Sequence, residues 1–121
     1  MIEQTLFTVL STNAPVQAIV GSKIYPIVMP EGVTVPALVY QKVGTTVINS
    51  LEGFSGIESI RMQFSCYAPT LIVAKQLAQA VSAALDGSTV LKCVRIMELD
   101  GQDPETKNFR VVVDFNIWQR S

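Results

Sequence analysis

Two stretches of this chain alternate so regularly that they limit its architecture before anything else is considered. Over 57–67, Ile60, Met62, Phe64 and Cys66 fall on one side, with Arg61, Gln63, Ser65 and Tyr67 on the other. Over 109–119, Phe109, Val111, Val113, Phe115 and Ile117 oppose Arg110, Val112, Asp114, Asn116 and Trp118. Successive side chains of a strand point to opposite faces, so each run reads as a strand with one buried side. Between them Leu71, Ala74, Leu77, Ala78, Val81 and Leu85 recur at steps of three and four. That spacing predicts a helix, opened by Ala68-Pro69-Thr70 and ended at Gly87, with Lys75, Gln76, Gln79, Ser82 and Asp86 off the apolar stripe. Its alanines allow close approach to a sheet.

The remaining segments fit around this frame. Leu6, Phe7, Val9 and Leu10 form a short helical stripe, broken by Ser11-Thr12-Asn13-Ala14-Pro15. Val16, Ile19 and Val20 suit a second short helix that Gly21 ends. Lys23-Ile24-Tyr25-Pro26 reads as a brief extended piece, and Pro26, Pro30, Gly32 and Pro36 make the next stretch irregular. Segment 37–43 reads as a strand, as does 90–99, where Cys93 falls in phase with Leu91, Met97 and Leu99. The stretch from Asp100 to Asn108 supplies a turn before the last strand. Segment 44–56, with Gly44, Thr45, Thr46, Asn49, Ser50, Gly53, Ser55 and Gly56, suits either a mobile hairpin loop or two short strands. The expected class is α+β: an antiparallel sheet packed against one long central helix, with short N-terminal helices, in a single domain over 1–121.

Charge is scarce for a chain of 121 residues. Apolar residues make up 49% and charged ones 16%, against about 25% charged in ordinary soluble domains. Either Ser, Thr, Gln and Asn cover the surface, or another subunit covers part of it. The net charge is −1 without a basic cluster, which argues against affinity driven by phosphate neutralisation, and no direct sequence-specific binding of nucleic acid is expected. No apolar run reaches the roughly 18 residues of a membrane span, and Met1-Ile2-Glu3-Gln4 lacks a basic leader. The expectation is a cytoplasmic chain with no membrane partner.

The sequence contains no histidine. Ser–His–Asp and Cys–His machinery and His-ligated zinc are therefore excluded. Asp100, Asp103 and Glu105 could bind a hard cation through oxygen, but Asp-Gly followed by Asp-Pro is also turn chemistry and lacks the full calcium-loop pattern. Cys66 and Cys93 read as buried thiols. Gly44, Gly53 and Gly56 do not form a phosphate-cradling loop, which needs its lysine. No catalytic residue, metal or cofactor is expected. The residues singled out for contact with another protein are Thr45, Thr46, Asn49, Leu51 and Phe54 in the 44–56 segment, together with outward-phased Tyr67 and Trp118.

The order of these pieces carries a resemblance. Val16-Gln17-Ala18-Ile19-Val20-Gly21 is followed by Lys23-Ile24-Tyr25-Pro26, then Pro30-Glu31-Gly32 and Val35-Pro36-Ala37-Leu38-Val39-Tyr40. Later Phe64-Ser65-Cys66-Tyr67-Ala68-Pro69-Thr70 leads to Ala74-Lys75-Gln76-Leu77 and Leu85-Asp86-Gly87. Over nearly the whole chain this resembles the tail-completion, or tail-to-head joining, proteins of tailed bacteriophages, which are akin to tail terminators. The resemblance implies a structural virion protein, assembled in the bacterial cytoplasm as a ring, commonly a hexamer, at the head-proximal end of the tail. There it would stop growth of the tail tube, with sister subunits, the tail-tube protein and a head-connector protein as partners. A tail-tube or baseplate adaptor is the alternative in the same class, and a small-ligand-binding or enzymatic α+β domain is the alternative from another.

Overall fold

A computed structural model describes the backbone of all residues except 1, 29–31, 33, 51–52, 88–91, 103, 105–106 and 121, and all their side chains except those of 2–3, 46–50, 53–58 and 119–120. The described residues form helices α1 (Ile2–Ser11), α2 (Ala14–Val20) and α3 (Leu71–Asp86), and strands β1 (Ile24–Pro26), β2 (Ala37–Ser50), β3 (Gly53–Ala68), β4 (Lys92–Gln102) and β5 (Phe109–Arg120). The class is α+β, as expected.

The five strands lie in the order β1-β2-β3-β5-β4. Three of the junctions are antiparallel, but β1 runs parallel to β2, with Ile24 beside Leu38 and Pro26 beside Tyr40. The sheet is therefore mixed, a correction to the antiparallel sheet expected from sequence. The chain between β1 and β2 is too long for a tight hairpin and returns to start β2 beside the start of β1.

The buried faces follow the alternation. Ile60, Met62, Phe64 and Cys66 of β3 and Val111, Val113, Phe115 and Ile117 of β5 are all at most 2% exposed. They meet Leu6 and Leu10 of α1, Val16 and Val20 of α2, and Ala74, Leu77, Ala78, Val81 and Leu85 of α3 in one apolar cluster. At its centre the rings of Phe64 and Phe115 lie edge to face, 5.8 Å apart at 81°, an arrangement that contributes about 0.5–1.5 kcal/mol beyond the area buried.

Capping sets the helix starts. The Thr70 hydroxyl accepts the Val73 N–H at 3.3 Å and the Asn13 carboxamide oxygen accepts the Val16 N–H at 3.1 Å, each satisfying a donor the helix cannot. Gly21 ends α2 with φ 61, a left-handed geometry that costs glycine little. At 16 residues α3 is the longest of the helices, and it shares the helix layer with α1 and α2.

Three apolar-stripe assignments need correction. Phe7 and Leu71 are 43% and 39% exposed, because both sit at the margin of their stripes. Ser82 is buried: it lies four residues after Ala78 and three before Leu85, so helical spacing places it on their face. Of the two readings of segment 44–56, the strands hold over its described residues, 44–50 and 53–56. β2 continues through Ser50 and β3 starts at Gly53, with Thr45 beside Ile60, Ile48 beside Ile57 and Asn49 beside Phe54.

Candidate interaction surface

Among the described residues no helix or strand layer covers the sheet face away from the helices, and polar groups organise it. Tyr67, Ser65, Gln63, Arg61 and Ser59 of β3 stand beside Arg110, Val112, Asp114, Asn116 and Trp118 of β5. Arg61 donates from Nη2 to Asp114 Oδ2 at 2.7 Å, with the Asp114 side chain 3% exposed. Arg110 donates to the Ser65 hydroxyl at 3.2 Å and lies 5.7 Å above the Tyr67 ring. Tyr67 is half-buried and engaged by Arg110 within its own chain.

β4 ends the sheet, and it departs from the expected phase. The ladder to β5 pairs Arg95 with Phe115 and Met97 with Asp114, leaving Ile96 as an extra residue. A bulge of this kind puts two residues against one and reverses the sidedness of every later residue in the strand. Cys93 and Arg95 therefore share the helix side with Glu98 and Asp100. Val94, Met97 and Leu99 share the open side. This corrects the phase that groups Cys93 with Met97 and Leu99; Leu91 lies outside the described residues. The three open-side residues are 47%, 43% and 59% exposed, and Ile96 is 43% exposed. They form an apolar row along an edge strand beside Val112.

On the helix side, Lys75 of α3 reaches Asp100 at 2.8 Å and Glu98 at 3.9 Å. The Asp100 hydrogen bond and both carboxylates raise the Lys75 pKa above its ordinary value, although partial desolvation opposes this. One ammonium thus serves two carboxylates. Asp100 is used by this ion pair, while Asp103 and Glu105 lie outside the described residues. Among the described residues no group of three His, Cys, Asp or Glu could hold a metal.

The other end of the sheet has a free edge of a different make. β1 covers β2 only from Leu38 to Tyr40. Ile27 then turns to φ 67 while its N–H still donates to the Tyr40 carbonyl at 2.8 Å. That conformation is strained for a β-branched residue. It turns the chain off the sheet, leaving Ile27 and Val28 69% and 70% exposed. From Gln41 onward, among the described residues, β2 has β3 on one side only, and Gln41, Lys42, Val43, Gly44 and Thr45 are exposed.

The residues singled out from sequence divide accordingly. Thr45 stands exposed on this free edge. Thr46 and Asn49 lie farther along β2 and Phe54 on β3, with their side chains outside the described residues, as is Leu51 altogether. Trp118 is half-buried beside Ser59 and Lys92 on the open face. Sequence reasoning misses Lys42, Glu98, Arg61 and Asp114, because charged residues on alternating strands read as solvated until pairing is known. Cys66 is buried and its thiol is pushed up to about 12 by burial first and the Glu98 charge second. Cys93, half-buried, is pushed up to about 11 by burial and then by Asp86. Raised values keep both thiols protonated and poorly nucleophilic.

What the geometry offers is surface: a polar ladder, an apolar row and two strand edges on a small α+β subunit. The family model described as Tail completion protein gp17 matches residues 4–120, and the chain belongs to that family. It is accordingly a structural protein of phage tails, and its place is in the virion. No curated protein matches it. Among solved structures, a chain from one described as "Virion of native gene transfer agent (GTA) particle" superposes with TM-score 0.70 at 19% identity, covering 96% of this chain and 92% of that one. At that identity the likeness establishes the shared fold.

Proposed function

We propose that the protein closes into a ring, a hexamer, at the head-proximal end of the tail, where it ends growth of the tail tube and joins tail to head. The observation that carries this reading is the family match over residues 4–120. The low charge, the apolar row on β4 and the two free edges support it, since a ring needs two different, mutually complementary surfaces on each subunit. Catalysis plays no part: assembly proceeds by mass action among identical joints. One rim of the ring meets the tail-tube protein and the other the head connector. The β2–β3 hairpin, with Thr45, Thr46, Asn49, Leu51 and Phe54, reaches a neighbouring subunit or the connector, and Trp118 lies at the base of that contact.

Electron microscopy of particles made without the protein tests the role. Overlong tails, or tails without heads, are expected. Particles of normal tail length that lack only their tips would instead identify an adaptor at the far end.

A further inference from the structure

If subunits join in a ring, as proposed above, the sheet itself indicates how. Its strand directions alternate from β2 to β4: β2 and β5 run one way, β3 and β4 the other. A second copy set at the β4 edge in the same orientation therefore presents its β2 antiparallel to β4. β4 spans Lys92–Gln102, and the uncovered part of β2 runs from Gln41 to the end of that strand at Ser50. Among the described residues, two unpaired edges of comparable length and suitable direction thus lie at opposite ends of one sheet. Unpaired edges of this length are templates for strand addition unless something covers them.

Charge selects the partner and the layer. Lys42 sits beside Met62, a buried residue of the helix side, so Lys42 points to that side. Glu98 and Asp100 also point to the helix side, beside Val113 and Val111. There they share Lys75, with Asp100 the nearer at 2.8 Å and Glu98 at 3.9 Å. Glu98 is thus the carboxylate that Lys75 holds less closely, with Arg95 on the same side of the strand, whereas Lys42 has no ion pair among the described residues. An antiparallel register that sets Lys42 across from Glu98 also sets Val43 beside Met97, two apolar side chains that are 51% and 43% exposed in the single chain. In that register Lys92–Leu99 lies along the uncovered part of β2, and Asp100–Gln102, which would otherwise fall on the positions that β1 covers, has to turn off the sheet beside Ile27 and Val28.

We infer that the ring joint is this edge: β4 of one subunit adds to β2 of the next, with Lys42 meeting Glu98 across the boundary and the β4 apolar row covered beside it. The sheet then runs on from subunit to subunit. This assignment rests on the ring reading and adds to it the surface by which a second copy is recognised.

The test uses two single variants of the full chain, Lys42→Glu and Glu98→Lys, followed by native mass spectrometry at several concentrations. Both positions are exposed, and a circular dichroism spectrum matching wild type verifies folding. Wild type is expected to give the ring. Each variant alone sets like charges across every joint and is expected to weaken association at least about tenfold per joint. Mixing the two restores assembly: the introduced carboxylate then faces the introduced ammonium at alternate joints, and the native pair forms at the others. Only even-numbered rings can close this way. A wild-type ring that neither variant disturbs overturns the joint and leaves the ring standing. Weakened variants that fail to recover on mixing also overturn it, since the two positions then do not meet. A wild-type chain that stays monomeric at every concentration overturns the joint and the ring together.

Discussion

Strands β3 and β4 flank β5 on either side and meet it through antiparallel ladders of similar length, yet they have opposite fates. In β3 the apolar residues Ile60, Met62, Phe64 and Cys66 are at most 2% exposed; in β4 Val94, Met97 and Leu99 are between 43% and 59% exposed. The helix layer accounts for the difference. It covers the β3 and β5 apolar faces, while the Ile96 bulge turns Met97 and Leu99 to the open side, where Val94 already lies. Burying a side chain such as Leu or Met stabilises by roughly 1.5–3 kcal/mol, and the separate chain forgoes about half of that gain along β4. An apolar strand need not be a core strand: here one builds the fold, and the other reserves its stabilisation for contact.

The sharpest way to break this comparison is to truncate the two strands in turn. Phe64→Ala removes a fully buried ring from its edge-to-face contact with Phe115 and is expected to cost about 3–5 kcal/mol, read as a lower urea midpoint. A loss below 1 kcal/mol would mean that the core does not centre on β3 and β5. On the open face, Arg61→Met leaves the buried Asp114 carboxylate without its cation. Because Arg61 is nearly half exposed, we expect about 1–2 kcal/mol, below the range for fully buried pairs. Adding Asp114→Asn should recover part of this. Strictly additive losses in the double-mutant cycle would show that the pair is not coupled.

How far the fold is legible in the sequence depends on whether one residue can change the answer. The alternation of β3 and β5 and the α3 stripe repeat their message many times, and both survive into the structure. β4 shows the opposite case. A single extra residue, Ile96, reverses the side of everything after it, and no residue type marks the place. The strands beyond Lys42 are only one of two readings for another reason: Gly44, Thr45, Thr46, Asn49 and Ser50 have the composition of a loop, and pairing with β3 overrides that preference. The parallel β1–β2 junction is equally invisible, since direction is set by where the chain returns. The candidate surface is legible only in part. Thr45 lies on the free edge, but Lys42 and Glu98 gain meaning only when the strand order places them at opposite ends of one sheet.

Alkaline pH offers a smaller effect that separates the two strands through their thiols. Cys66 of β3 ionises near 9.0 when unperturbed and at about 12 in the fold, chiefly because it is buried. Above pH 9 the unfolded chain therefore releases a proton that the native chain retains. The stabilisation is complete below that pH and is lost as pH rises towards 12. At pH 10 the loss from this group is about 1 kcal/mol. Cys93 and Lys75, both raised as well, act in the same direction, so the informative quantity is a difference. Urea midpoints of wild type and Cys66→Val at pH 8 and pH 10 should show a flatter pH dependence in the variant. Equal slopes would place the Cys66 thiol in contact with water.

The smallest effect on the single chain is expected where β4 is most apolar. Leu99 is 59% exposed, so Leu99→Ser deletes little buried area and should change the urea midpoint of dilute protein by no more than about 0.5 kcal/mol. Concentration then separates the two uses of an apolar residue. A side chain covered only on assembly stabilises the folded state by mass action, so the wild-type midpoint should rise with protein concentration, and the Leu99→Ser midpoint should rise less. A loss above 1 kcal/mol at dilution would return Leu99 to the core and erase the distinction between β3 and β4. Equal concentration dependence in both proteins would leave the distinction intact but remove the reason given for it, because the apolar row would then be exposed in the assembly too.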